Sequence, residues 1–522
     1  MKKTNHFHRQ ILIVFLVAAT ATAHAQGAQR EIPPAFGPYV NLSAKDFAES
    51  KTFTAKDRII GTYFFYWYDV YTKGHILDGD GTDALTTHPA TLEDFSYKSV
   101  RWHKKQLADM EAAGIDVALM VFWGSPAEHD PQAGLHWSFA GLKSLVEARE
   151  ELIRDGKKPP RIGLFYDTST LKWNRWGYHA DLTTDYGKMF FYGTVRDFFS
   201  CIPPKHWAMI DGKPIVLLYA SAFAKKYDRS FVDYTKAEFP KEFGGRVPWI
   251  APQNSWRVKG DNTCAWGGAL AFKNPGIGEI GPGYDHSAVP GRAPLVRERE
   301  NGKFYEDSWQ KFLRRPSNFV MIETWNEFHE GTDIAESKEY GRRYIELTRK
   351  YSELFKKGWK PAWPKGSFHN APSVSASAGD AKADKGLSLV AAEDGKTAVR
   401  EMQGRKCWFA KPFQGGAAYV YFRVNDSFKS DGVMNATVEI EYFDAAPGRL
   451  GVEFDGSDTG APFGGAYSPS EKISLTGDKR LKTASFKLDA ARFLNSQNAD
   501  ADFRIVAVAA EFGLSKVTLK RR

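Results

Sequence analysis

Two carboxylates stand close together in a short run of aromatic, amide and imidazole side chains. The run Glu-Thr-Trp-Asn-Glu-Phe-His-Glu-Gly-Thr-Asp at 323–333 contains Glu327 and Glu330, three residues apart. Neighbouring carboxyls suit general acid–base chemistry, because repulsion and partial burial can keep one protonated while the other is ionised. Aromatic and amide neighbours are typical of sites that cleave carbohydrate. The run therefore predicts an acid–base site that requires neither a metal nor a cofactor.

The side chains between and beside these carboxylates allow more than one interpretation. Asn326 could hold a sugar or orient Glu327, and His329 could bind a hydroxyl or simply pack. His329, Glu330 and Asp333 have some of the residue types of a metal site. A second histidine at helical spacing is missing, and the run follows a predicted strand instead of lying on a helix, so no metal is predicted.

The elements that must position this run are strands alternating with helices. Residues 317–322 form a short apolar stretch typical of a buried strand, so the carboxylates fall where that strand ends. Alternation from about 58 to 360 predicts an α/β fold. We expect a (β/α)8 TIM-like barrel over 26–372, because a doubly wound sheet would more often show a glycine-rich phosphate loop after its first strand.

Further candidate substrate-binding residues stand where other predicted strands end. The aromatic ones could stack on a sugar ring or belong to the core. The aspartates could grip hydroxyls or cap a following helix. These candidates are Tyr66, Trp67, Trp123, Tyr166, Asp167, Tyr284 and Asp285.

The C-terminal part of the chain has a different sequence pattern from the α/β part. Residues 373–385 are small and polar, which predicts a linker. Residues 386–522 contain regularly spaced short strands, which predict an all-β jelly-roll sandwich. Such a module either binds carbohydrate or braces the barrel. The stretch Asp455-Gly456-Ser457-Asp458 is compatible with calcium binding or with a plain turn.

The first 25 residues have the pattern of a secretory signal peptide, with a charged start, a short apolar stretch and Ala-His-Ala before Gln26. We therefore expect a periplasmic or extracellular protein with no membrane insertion after signal removal. Cys201, Cys264 and Cys407 are too few for a disulfide framework, and a bond between the first two is the most plausible one.

Composition narrows the class of partner. Aromatic residues make up 14% of the chain, a high share that suits sugar binding. The formal net charge is +9, and three of the positive charges, Lys2, Lys3 and Arg9, leave with the signal peptide. The remaining excess is spread along the chain, which indicates a solvated surface more than an anionic polymer partner, and no nucleic-acid motif is present.

Several stretches resemble glycoside hydrolase family 99, the endo-acting α-mannosidases and mannanases. Residues 326–332 read Asn-Glu-Phe-His-Glu-Gly-Thr, where the family pattern is Asn-Glu-Trp-His-Glu-Gly-Thr. Residues 280–284 and 63–68 also resemble their counterparts, so the likeness covers most of the barrel but not the β domain. The resemblance implies an oligosaccharide or polysaccharide substrate, with Glu330 as general acid and then base. It also implies that Glu327 deprotonates the sugar 2-hydroxyl, with overall retention through a 1,2-anhydro sugar.

Two loops depart from the family pattern. After Tyr284 the family continues into Asp-Thr and Arg-Pro-Trp, whereas this chain runs Asp-His-Ser-Ala-Val-Pro-Gly-Arg over 285–292. The loop through His75, Asp78 and Asp80 also differs. Because these loops shape sugar subsites in the family, the resemblance implies the chemistry without the mannose specificity.

Two other functions are compatible with the sequence. A retaining β-glycosidase-type barrel also carries an Asn-Glu pair, but on a middle strand, whereas Asn326 and Glu327 follow a late one. A non-catalytic secreted glycan-binding protein is the second alternative. The presence of both Glu327 and Glu330 argues against it.

Overall fold

The computed structural model describes residues 31–293, 295–380, 385–392, 394–413, 416–429, 432–458 and 460–522. The predicted signal peptide at 1–25 lies outside these ranges. Within them, no helix is both long enough and apolar enough to cross a membrane. The chain divides into two compact units. The first comprises the described residues up to Asn262 with Pro282–Tyr305 and Met321–Glu353, and the second comprises Thr263–Gly281, Glu306–Val320 and Leu354–Arg522.

An α/β region precedes an all-β region, as predicted. Its strands are β1 (Ile59–Phe64), β2 (Val117–Phe122), β3 (Arg161–Tyr166), β4 (Met209–Ile210), β5 (Lys213–Leu218), β6 (Trp249–Pro252), β7 (Gly278–Ile280), β8 (Tyr284–Asp285), β9 (Val296–Arg297) and β10 (Phe319–Ile322). Its helices are α1 (Val100–Ala113), α2 (Trp137–Arg154), α3 (Asp185–Ser200), α4 (Ser230–Glu242), α5 (Lys303–Arg314) and α6 (Arg343–Lys356).

The main sheet runs in the order β4-β5-β3-β2-β1-β10-β7, and β6 pairs with β5. The pairs β1–β2, β2–β3, β3–β5 and β5–β6 are all parallel. Every residue of β1 and β2 is buried, as expected for parallel strands that are covered on both faces. Parallel strands present their carboxyl ends at one edge, so the loops that follow them meet there. Closure of this sheet into a barrel stays a prediction.

Local signals account for the helix boundaries. The Ser99 hydroxyl accepts a hydrogen bond from Trp102 N at the start of α1, at 3.2 Å. Gly114 ends α1 in the left-handed conformation, with φ of 83°. Thr184 caps α3 in the same way as Ser99, by accepting from Gly187 N at 3.1 Å.

Over the residues that the structure describes, the all-β region contains twelve strands in two six-stranded sheets. They are β11 (Ser373–Ser377), β12 (Leu387–Val390), β13 (Thr397–Met402), β14 (Arg405–Ala410), β15 (Ala417–Val424), β16 (Met434–Phe443), β17 (Pro447–Phe454), β18 (Ser468–Pro469), β19 (Ile473–Thr476), β20 (Leu481–Ala491), β21 (Phe503–Val508) and β22 (Phe512–Arg521). One sheet has the order β13-β14-β22-β16-β20 with β11 on β22, and the other β12-β15-β21-β17-β18 with β19 on β17. Apolar residues of both sheets form one core. Jelly-roll topology stays a prediction.

The predicted linker is wrong over its first part. Ser373–Ser377 forms β11, which pairs antiparallel with β22. Val374 and Ala376 are buried in the core of the all-β region, while the serines between them are more exposed. Buried and more exposed residues alternate along this segment, which is the pattern of a strand. Because all of its residues are small, that alternation is not evident from hydrophobicity.

The structure also bears on the cysteines and on the stretch at 455–458, for both of which the sequence left alternatives open. The three cysteines, all within the described residues, form no disulfide, so the bond between Cys201 and Cys264 that the sequence allowed is not formed. The Cys201 thiol instead donates to the Asp197 carbonyl, at 3.2 Å. The Asp455 carboxylate accepts hydrogen bonds from Arg492, at 3.0 and 2.8 Å, so a guanidinium supplies the positive charge that calcium would have supplied.

Candidate functional site

The segment after β10 is held against the end of β1. Trp325 N donates to Tyr63 O at 2.9 Å, which continues the strand pairing beyond Ile322. The Asn326 side chain accepts from Phe65 N and donates to Phe65 O, both at 2.8 Å. Asn326 is fully buried, and its amide is used on this backbone. The structure therefore gives Asn326 a positioning role, one of the two that the sequence allowed, and its contact with a sugar stays a prediction.

Glu327 and His329 form a close pair. Oε1 of Glu327 accepts from His329 N at 3.0 Å and lies 2.7 Å from His329 Nδ1. Both bonds use the same oxygen, and within the described residues Oε2 accepts no hydrogen bond. Glu327 is 3% exposed, whereas His329 is partly exposed. The pair thus presents one carboxylate oxygen and one imidazole edge that the protein does not use.

Burial and mutual attraction change the protonation of this pair. Burial raises the pKa of Glu327, an effect that His329 partly offsets and that the negative charge of Glu330 reinforces. Burial lowers the pKa of His329, but attraction to Glu327 outweighs it and leaves the His329 pKa above its ordinary value. The pair therefore keeps a proton to a higher pH than the two free side chains would.

Glu330 faces a loop that comes from another part of the chain. Its Oε1 accepts from Arg292 Nη1 at 2.6 Å, and its carbonyl accepts from Asp285 N at 2.9 Å. Burial and the nearby Glu330 charge raise the pKa of the Tyr284 hydroxyl. The Asp285 carboxylate accepts from Ser287 N at 2.8 Å, so it shapes its own turn.

His286 fixes the arrangement of this loop. Its Nε2 lies 2.7 Å from the Ala293 carbonyl, which can only accept, so the proton sits on Nε2. Nδ1 is then the acceptor for the Tyr284 hydroxyl, at 2.9 Å. This connection holds Ala293 and the adjacent Arg292 on the side of the loop that faces Glu330.

Aromatic rings line the other side of the pair. Trp67 stacks on His75 with centroids 4.5 Å apart and planes at 2°. Trp123 and His329 stand nearly perpendicular to Trp67, at 5.4 and 5.5 Å. Burial and the nearby His329 lower the pKa of His75 to about 3, so this imidazole is neutral. Trp67 is 9% exposed, whereas Trp123 is only half-buried, so Trp123 is the ring better placed to meet a sugar.

Two predicted binding residues lie in the core instead. The Tyr66 hydroxyl donates to Ser138 O at 2.8 Å, and the Tyr166 hydroxyl bonds to Thr194 at 3.3 Å. Both tyrosines are fully buried. The prediction that they bind substrate is wrong, because each hydroxyl finds its partner on a helix that packs on the sheet.

Asp167 borders the site in a different way. Its carboxylate accepts from Ser169 N at 3.0 Å and so caps the short helix that follows β3. Burial raises the Asp167 pKa, and hydrogen bonding from Ser169 and the neighbouring Trp123 opposes that increase. Capping, one of the two expected roles, is therefore observed.

A buried ion pair anchors the loop that carries the carboxylates. Arg299 donates to Asp333 Oδ1, Asp333 O and Gly331 O, each at 2.8 Å. Thr87 donates to the same Asp333 oxygen. Asp333 is thus committed to Arg299, and among the described residues no cluster of three or more His, Cys, Asp or Glu could hold a metal ion.

Sequence reasoning missed several residues of the site. Arg292 stands 38 residues from its partner Glu330, and nothing in its local pattern indicates the pairing. Trp137 and Tyr219 were also missed. Trp137 begins α2 and contacts Trp67, and Tyr219 immediately follows β5. The signal that could have found them is their position next to the end of a predicted strand or helix.

Parts of this chain are similar to known proteins. A family model described as a domain of unknown function (DUF5010) matches residues 46–374, more than half of the chain. The glycoprotein endo-α-1,2-mannosidase of Mus musculus is 37% identical over 98 residues, which is 16% of this chain and 21% of that protein. The glycoprotein endo-α-1,2-mannosidase-like protein of Homo sapiens is 38% identical over 94 residues, 15% of this chain and 21% of that protein. The chain thus spans about a fifth of the length of the curated relatives it matches.

Solved structures were compared as well. The GH99 endo-α-mannosidase of Bacteroides thetaiotaomicron aligns with a TM-score of 0.40 and 15% identity, over 58% of this chain and 99% of that one. A cellulose-specific carbohydrate-binding module, CBM28, aligns with a TM-score of 0.19 and 16% identity, over 31% of this chain and 98% of that one. Over one short segment the chain thus resembles glycoprotein endo-α-1,2-mannosidases, and by its match over residues 46–374 it belongs to the family described as a domain of unknown function, DUF5010.

Proposed function

We propose that this protein is a secreted glycoside hydrolase that cleaves α-linked oligosaccharides or polysaccharides, is endo-acting, and retains the anomeric configuration. The observation that carries the proposal is the arrangement of two carboxylates with different surroundings. Glu327 is buried and held through one oxygen by His329, while Glu330 is less buried and pairs with Arg292. Unequal surroundings of this kind separate the acid role from the base role.

The family resemblance supports a specific sequence of bond changes. Oε2 of Glu327 takes the proton of the sugar 2-hydroxyl, and that oxygen attacks its own anomeric carbon. Glu330 protonates the departing glycosidic oxygen as the bond to the anomeric carbon breaks. Glu330 then takes a proton from water while the water oxygen attacks the anomeric carbon and opens the 1,2-anhydro ring. Glu327 returns its proton to the 2-oxygen. Two displacements at one carbon retain the configuration.

His329 and Arg292 have defined tasks in this scheme. His329 holds Oε1 of Glu327, which aims Oε2 at the substrate, and its positive charge stabilises the ionised base. Arg292 is about half exposed and sits on a loop, so it can leave Glu330 when a sugar enters. Its departure is required, because Glu330 must carry a proton to act as the acid.

Secretion and the role of the all-β region are further parts of the proposal. The signal-peptide pattern at 1–25 supports a periplasmic or extracellular location, and N-terminal sequencing of the exported protein should begin at Gln26. We propose that the all-β region assists with polymeric substrates. No cofactor enters the scheme.

Stereochemistry and trapping test the mechanism. Proton NMR of the first-formed product should show retention, and a substrate without the 2-hydroxyl should be inert. A 2-fluoro glycoside should leave the intact mass of the protein unchanged, because no covalent intermediate forms on Glu327. Inversion would indicate a single displacement by water, and a stable adduct on Glu327 would indicate a covalent glycosyl-enzyme intermediate. Either result would contradict the 1,2-anhydro mechanism. Absence of cleavage across a broad panel of glycans would refute the function itself.

A further inference from the structure

We propose that Tyr219, Phe223 and Trp173 form an aromatic track along which the enzyme binds sugar units of the substrate beyond the bond that is cut. This inference rests on the proposed function and adds outer subsites to it. Tyr219 stacks on Phe223 with centroids 6.0 Å apart and planes at 24°. Phe223 contacts Trp173 at 5.2 Å. The three rings thus form one unbroken series.

The inner end of the track lies at the candidate site. Tyr219 immediately follows β5, so it stands at the same edge of the sheet as the carboxylates after β10. Tyr219 N donates to Tyr166 O, at 3.0 Å, which fixes the segment beside β3. Burial, and after it the charges of Asp167 and Glu330, raise the pKa of the Tyr219 hydroxyl. The inner end of the track therefore lies at the edge of the sheet that also carries Glu327 and Glu330.

The outer end of the track is exposed to solvent. Trp173 is 44% exposed, and within the described residues its indole N–H makes no hydrogen bond. The Lys172 ammonium lies over the ring, 5.2 Å from its centroid. Leaving a large apolar ring in water is unfavourable, since each Å² of apolar surface costs about 25 cal/mol. Trp173 is thus a large exposed ring that continues into the two partly buried rings of Phe223 and Tyr219, and such a surface indicates a binding role.

The loop that carries Trp173 is held in place. Asn174 donates to Thr170 O and Tyr178 O, both at 2.8 Å, and accepts from Trp176 N and Tyr178 N, both at 3.1 Å. These four bonds tie the loop to itself. Trp176 Nε1 also donates to Pro126 O at 2.9 Å. The backbone that carries Trp173 is thus ordered before any ligand arrives, which reduces the entropy lost on binding.

The chemistry of the track specifies its ligand. Aromatic rings suit the C–H faces of pyranose rings, and a series of them suits successive units of one chain. Lys172, over the ring of Trp173, can in addition donate to the hydroxyls of a sugar that reaches it. A substrate that reaches Trp173 from the carboxylates must be several sugars long. The geometry therefore points to an oligosaccharide or polysaccharide chain that extends past the cleaved bond, and to a rate that depends on chain length.

The test compares long and short substrates in one variant series. The probes are α-mannan and α-glucan oligosaccharides from disaccharide to hexasaccharide. In Trp173→Ala, the ratio of kcat/KM for the hexasaccharide to that for the disaccharide should fall about three- to tenfold, mainly through KM, because one stacking contact is lost. Trp173→Phe should restore most of that ratio. Trp359→Ala is the matched control, because Trp359 is similarly exposed, at 41%, and belongs to the other unit.

A binding measurement separates this inference from the proposed function. Calorimetry with Glu330→Gln protein measures hexasaccharide affinity without cleavage, and adding Trp173→Ala should weaken that affinity by a similar factor. If the wild type cleaves glycans but the ratio and the affinity do not change in Trp173→Ala, the track is refuted. If the wild type cleaves nothing while Trp173→Ala still weakens hexasaccharide binding, the track stands and the hydrolase proposal fails.

Discussion

Glu330 is the residue on which the rate should depend most directly. It is the less buried of the two carboxylates, and its Arg292 partner lies on a loop that can move away. Replacing Glu330 with glutamine removes the proton donor but keeps the size of the side chain. The change in kcat caused by this substitution therefore reports on protonation of the leaving group and not on packing.

We predict that Glu330→Gln lowers kcat on natural glycans by about 10²–10⁴-fold. The loss should be much smaller on aryl glycosides, because a good leaving group departs with little protonation. Glu353→Gln is the control, since Glu353 is an exposed partner of Arg349 on α6 and should retain full activity. Equal losses on both substrate types would remove Glu330 from the acid role.

The protonation of Glu327 and His329 should be visible in protein stability. The pKa values of both groups are raised in the folded protein, Glu327 by burial and His329 by Glu327. The folded state therefore binds more protons than the unfolded chain, and the free energy of unfolding falls as pH rises. The His329 contribution is complete below about pH 6.5, its ordinary pKa, and is lost as pH rises through the higher pKa of the folded state.

We predict that the melting temperature of the wild type declines more steeply between pH 5 and pH 9 than that of a Glu327→Gln, His329→Gln double variant. The double variant has no titrating group at this position, so its decline reports on the rest of the molecule. Calorimetric melts across that range provide the measurement. Parallel curves for the two proteins would contradict the raised pKa values.

At the scale of elements, the loop after β10 is held from two sides. Asn326 ties its start to the end of β1, and Arg299 ties its end through Gly331 and Asp333. Arg299 is 7% exposed, and Tyr340 and Tyr344 lie 4.2 and 4.6 Å from its guanidinium. If this loop carries the acid and base as proposed, its attachment at both ends means that it needs little reorganisation on binding substrate.

Arg299→Met should destabilise the protein by about 3–5 kcal/mol, because it leaves the Asp333 carboxylate buried without its partner. Activity should fall as well, since the segment with both glutamates loses its anchor. Arg349→Met removes an exposed pair with Glu353 and should change stability by less than about 0.5 kcal/mol. Urea denaturation gives both values. A small effect of Arg299→Met would show that the loop holds its shape through packing alone.

At the scale of the whole molecule, the second unit is assembled from distant parts of the chain. It combines Thr263–Gly281 and Glu306–Val320 with everything after Leu354. Arg492 connects these parts: its Nη1 donates to Asn274 O at 3.3 Å, and its carbonyl accepts from Arg315 at 2.9 Å. A simple division at residue 373, as the linker prediction implied, would cut through this unit.

We predict that a chain ending at Pro372 is insoluble or melts without cooperativity, because it keeps two segments of the second unit without the rest of that unit. Co-expression of residues 373–522 should restore solubility. Cooperative melting of the truncated chain, with activity on short substrates, would instead show that the α/β region folds alone and that the linker interpretation describes the folding units better.

The sequence by itself determined the classes of element and the catalytic candidates. Alternating apolar runs and helical stretches predicted the α/β region, and period-two strands predicted the all-β region, because these patterns are local and repeat along the chain. The spacing of Glu327 and Glu330 indicated the acid–base site for the same reason. The resemblance at 326–332 is likewise carried by adjacent residues.

Only the tertiary structure decided which side chains meet. It brought Arg292 to Glu330, and it turned the hydroxyls of Tyr66 and Tyr166 towards helices instead of the site. It also placed Phe223 beside Trp173 and paired Ser373–Ser377 with β22. Each of these contacts joins residues far apart in the chain, and its free energy comes from burial and hydrogen bonds that exist only after folding. No local pattern records such a contact, because neither partner determines it alone.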